Sequence, residues 1–67
     1  MEDLETMRQA ALRAVAGAQA FVRNIGREDR LPETEALWMQ YLEAPQQIDP
    51  LREVRDAARA LSSSLLN

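Results

Sequence analysis

The sequence predicts an all-α fold of three helices. Two observations carry the prediction. A row of apolar or small residues at heptad spacing runs through each end of the chain, and strand signals are missing: no segment alternates apolar and polar residues, and no Asn-Gly turn occurs. The punctuation between the rows divides the chain into helices over about 3–25, 32–44 and 49–65, forming one small helical bundle or a dimerising helical hairpin.

The first helix is marked by Leu4, Met7, Ala11, Ala14, Ala18, Phe21 and Ile25, spaced 3–4–3–4–3–4. Leu12, Val15 and Val22 widen this seam on one side. Glu2, Asp3 and Glu5 fall in the first turn, where the helix dipole favours anions, and Arg23 and Arg27 fall near the end, where it favours cations. Asn24 and Gly26 are stop signals. After a charged connector, Pro32 opens the second helix, with Glu33 and Glu35 in its first turn. Thr34, Leu37, Trp38, Tyr41 and Leu42 share one face, Met39 points elsewhere, and Pro45 ends the helix. Asp49-Pro50 reads as N-cap and first helical residue of the third helix. Leu51, Val54, Ala58, Leu61 and Leu65 form the second heptad row, Arg52 can pair with Asp56, and Ser62–Ser64 weaken the last turn.

The chain has 67 residues, one domain at most. A chain of this size buries only about 60% of its unfolded surface, and small scaffolds normally need a staple. There is no Cys and no His, which removes disulfides, thiolate metal sites and the commonest general base. Oligomerisation or binding to a partner is the staple left over. Six alanines and Gly17 lie between Ala10 and Ala20, although Gly17 costs a helix interior about 1 kcal/mol relative to Ala. Large residues bracket the small ones along the seam, which suits a helix crossing tightly at its centre. That helix is either the third helix of the same chain or the symmetry mate of a homodimer, with Leu4, Met7, Ala11, Ala14, Ala18, Phe21 and Ile25 as the dimer seam.

Composition also weighs the function classes. All eight cations are Arg, and with abundant Ala this points to a GC-rich bacterial or phage genome. The net charge is −3, which disfavours nucleic-acid binding. An accessory nucleic-acid role would fall to the stripe Arg52, Arg55 and Arg59, but Glu53 and Asp56 interrupt it. No apolar stretch is long enough to span a membrane, and Glu2 and Asp3 directly after Met1 are the opposite of a basic signal-peptide start, so cytoplasmic residence is expected. Ser62–Ser64 lack an activating base, no Gly-rich phosphate loop occurs, and no EF-hand spacing exists; neither catalysis nor a cofactor nor a metal is expected.

Protein binding is the class that remains. Between Leu31 and Pro50 stand Glu33, Glu35, Glu43 and Asp49 with no Arg, together with the only Trp and the only Tyr. Trp and Tyr are enriched at binding hot spots, Met suits adaptable surfaces, and an acidic rim steers a basic partner. Trp38, Met39, Tyr41, Leu42 and Glu35 are therefore the candidate partner-binding residues. The expected function is a regulatory protein-interaction module, an adaptor or inhibitor of a larger protein, acting as a homodimer. A small co-chaperone or structural subunit of a hetero-complex is the alternative.

Overall fold

The computed structural model describes residues 3–66, and Glu2, expected in the first turn, lies outside them. Three helices form: α1 (Leu4–Asn24), α2 (Leu31–Glu43) and α3 (Ile48–Leu66), with a single 3-10 turn (Glu28–Arg30) leading into α2. No strand occurs among the described residues. Each end falls within one residue of the range read from the sequence, the ordinary uncertainty of a helix terminus.

The termini show why the helices begin and end where they do. Asp3 caps α1: its Oδ1 accepts the Thr6 backbone N–H at 2.7 Å. That bond holds the Asp3 carboxyl below its ordinary pKa. At the other end Gly26 takes φ 73°. Its N–H donates to the Arg23 carbonyl at 3.2 Å, and the Arg27 N–H reaches back to the Val22 carbonyl at 3.0 Å. This double closure is the Schellman motif, and it needs a residue without a Cβ at the left-handed position. Arg30 then grips Glu33 with two bonds, of 2.6 and 2.9 Å, across the start of α2. The pair lowers the Glu33 pKa and raises that of Arg30.

The third helix starts one residue before the position expected. Leu51 donates its N–H to the Gln47 carbonyl at 3.3 Å, so Asp49 lies inside the first turn and is not the cap. There its carboxylate accepts from Arg52 Nη1 at 3.0 Å. Ser62–Ser64 remain helical, and Ser64 donates to the Leu61 carbonyl at 2.8 Å.

α1 and α3 run parallel, and α2 returns between their ends. The order of contacts requires this. Met7 and Ala11 pack with Leu51, while Val15 and Ala18 pack with Val54, Ala58 and Leu61. Tyr41 and Ala44, at the end of α2, touch both clusters and join them. The third-helix row is buried as read, with Leu65 half-buried.

The first-helix row differs from its expected line. The buried residues are Met7, Ala11, Val15, Ala18 and Val22. Leu4, Ala14 and Phe21 are half-buried, and Ile25 is 41% exposed at the helix end. A straight helix has 3.6 residues per turn and drifts about 20° per heptad against a 3.5-residue row. By the third turn the core line has therefore moved to Val15 and Val22. Met7, Ala11 and Ala18, three of the seven seam residues, fill the interior of their own chain.

Gly17 has no packing reason to be glycine: a Cβ there would meet nothing within 4 Å. Gly17→Ala should raise stability by about 1 kcal/mol, seen in thermal melts as a Tm higher by roughly 4–8 °C. Asp3, Asp29 and Glu33 all have lowered pKa values in the folded chain, so the unfolded chain binds more protons in acid. Their contribution is complete above the ordinary carboxylate pKa of about 4 and is lost as the pH falls through and below it. The Tm should be flat between about pH 7 and 5 and drop below about 4, and Asp3→Asn, which keeps a capping oxygen, should make the drop smaller.

Candidate protein-binding face

α2 divides its side chains between core and solvent. Thr34 and Leu37 are buried, and the Thr34 hydroxyl donates to the Leu31 carbonyl at 2.7 Å, so its burial leaves no polar atom unsatisfied. Trp38 and Tyr41 are half-buried, with ring centroids 6.1 Å apart and planes at 89°. This edge-to-face arrangement is the favourable one for aromatic pairs. Trp38 Nε1 donates to Gln19 Oε1 at 3.2 Å, which ties α2 to α1.

The five candidate partner residues are thereby split. Tyr41 belongs to the joint between the two core clusters, and Trp38 lies at the core's edge. Glu35, Met39 and Leu42 face outward, Met39 at 54% and Leu42 at 70% exposure. Leu42 departs from the single face expected for it together with Thr34, Leu37, Trp38 and Tyr41. The core face is centred on Thr34, Leu37 and Tyr41, and at about 100° per residue Leu42 stands a quarter turn away from that centre. What emerges is an acid–apolar–acid row, Glu35, Met39 and Glu43 at i, i+4 and i+8, with Leu42 beside it.

On the side of the bundle away from this row, α1 and α3 leave a shallow groove of about 640 Å³. Ala10, Ala14 and Gly17 form its floor, and Arg13, Arg59 and Ser62 stand along it. Arg13 and Arg59 pair with no described residue. The Arg52, Arg55 and Arg59 stripe on α3 is partly neutralised: Asp49 holds Arg52 at 3.0 Å and Asp56 holds Arg55 at 3.0 Å. Arg13 was not singled out by the sequence, although it is the only charged residue between Arg8 and Arg23. That isolation within an alanine-rich helix is the signal that could have found it.

Among the described residues no group of three or more acids could hold a metal ion, and no helix is long and apolar enough to cross a membrane. Comparison with known proteins finds no matching family model, no matching curated protein and no matching solved structure.

Trp38 is the chain's only tryptophan, so its fluorescence reports the edge of the core where α2 meets α1. Gln19→Ala should cost about 1 kcal/mol through the lost indole partner and move the emission maximum to longer wavelength, read against urea unfolding curves of both chains.

Proposed function

We propose that this chain is a small, non-enzymatic protein-interaction module that acts as an adaptor or inhibitor of a larger protein. The observation that carries the reading is the outward row of α2. Two large apolar side chains, Met39 and Leu42, stand in solvent on a helix whose opposite face already fills the core. Single exposed apolar residues are common on protein surfaces, but here two stand one helical turn apart and Glu35 and Glu43 flank them. A helix presenting anchors at i, i+3 and i+4 is a recurrent recognition mode. The acidic flank favours a partner with a basic rim. We further propose a cytoplasmic setting and self-association, a remaining staple for a chain without Cys or His.

Burying a side chain such as Met39 contributes about 1.5–3 kcal/mol, and tenfold in affinity corresponds to 1.4 kcal/mol. Met39→Arg should therefore weaken partner binding at least about tenfold while leaving thermal stability within roughly 0.5 kcal/mol, because the position is outside the core. The test is affinity capture from lysate of the source cells at moderate salt, read by mass spectrometry. A partner retained by the native chain and lost with Met39→Arg supports the reading. A partner retained by both moves the site off α2. Loss of all captured protein at high salt, with nucleic acid in the eluate, would favour the arginine stripe instead.

A further inference from the structure

The two sides of the molecule are complementary in charge and in shape. One side is the row Glu35, Met39 and Glu43 with Leu42. The other is the α1–α3 groove, with its small-residue floor and with Arg13 and Arg59 lacking described partners. Gly17 strengthens the case. It is solvent-exposed, nothing in its own chain occupies the space above it, and the fold would be better served by alanine. A floor of Ala10, Ala14 and Gly17 lets a second helix approach α1 closely.

We propose that the outward face of α2 in one copy docks in the α1–α3 groove of another copy, head to tail. The inference rests on the reading of α2 as a docking face and names a second copy as an occupant of that face. Charge selects this geometry. A two-fold dimer through the groove would set Arg13 and Arg59 against their own images, and one through α2 would do the same with Glu35 and Glu43. A heterologous contact instead sets arginines against carboxylates. Because donor and acceptor surfaces lie on different sides of the chain, one joint leaves both free for another, and the assembly grows beyond two chains or closes into a ring. Occupancy of α2 by a second copy excludes any other partner from it, so self-association also regulates the proposed binding face.

The test uses the purified full chain in light scattering coupled to size exclusion, over a wide concentration range. At low ionic strength the average mass should climb with concentration past twice the 7.6 kDa of one chain. In about 1 M salt, where the screening length is about 3 Å, it should fall back toward one chain. Arg13→Glu with Arg59→Glu, and separately Glu35→Arg with Glu43→Arg, should each give a single-chain mass. All four positions are exposed, so circular dichroism should show the helices intact. Mixed in equal amounts, the two charge reversals complement each other, and the native α2 of one variant also meets the native groove of the other, so alternating chains should associate again and the mass should climb past two chains. Gly17→Leu fills the groove and should abolish association while leaving the chain folded. A native chain that stays a monomer throughout, one that stops at two chains, or variants that fail to combine would each overturn the proposal. The α2 reading itself is judged separately, by whether Met39→Arg loses the captured partner, and it survives a monomeric native chain.

Discussion

The close approach of α1 and α3 is the constraint from which the rest of this bundle follows. Ala11, Ala18 and Ala58 are buried at their contact, and alanine lets two helix backbones come together without voids between bulky side chains. Small residues supply little apolar area of their own. The larger side chains around them, Met7, Val15, Leu51 and Leu61, supply the burial and surround the alanine contact. Once α1 and α3 lie parallel, the connection between them must travel back along the bundle, and α2 does so within 13 residues. Its core face is narrow because the space left for it is narrow, and the remaining side chains of α2 are consequently left in solvent.

The connectors serve that packing. The Gly26 closure turns the chain tightly enough for the Arg30–Glu33 pair to begin α2 at once. At the opposite end Arg8 Nε donates to Gln46 Oε1 at 2.9 Å and links α1 to the connector before α3. The ion pairs are exposed, and pairs of that kind contribute little individually. Two of them, Arg27–Asp29 and Arg30–Glu33, lie at the turn where the direction of α2 is set, and their effect there is on position.

Much of this was legible in the residues. Caps, prolines and glycines located three helices because each acts through the backbone of its immediate neighbours. The third-helix row was also legible, since its leucines and valine leave little choice of face. Two features were not. Heptad spacing placed the centre of the first seam at Ala14, whereas the core chose Val15; on an alanine-rich helix the pattern is too flat to register the drift of a straight helix. Leu42 shares a broad face with Leu37 and Tyr41 on the sequence pattern, yet it stands a quarter turn off the buried centre of that face and is exposed. Asp49 shows a third limit. Asp-Pro is compatible with several positions in a first helical turn, and local sequence did not decide among them. The surface complementarity of α2 and the groove depends on which helix faces are left uncovered, and that is known only after the three helices have been packed.

The position of Tyr41 has a consequence for how the bundle comes apart. It touches both core clusters, one built around Met7 and Leu51 and the other around Val15 and Leu61. A bundle 35 Å long with two clusters in series could open one end at a time. Here Tyr41, together with Ala44 just after α2, packs on both, so releasing this end of α2 uncovers both clusters in the same event. The expected consequence is that the buried amides along α1 share one opening with α2, so that hydrogen exchange follows one cooperative unit and not two.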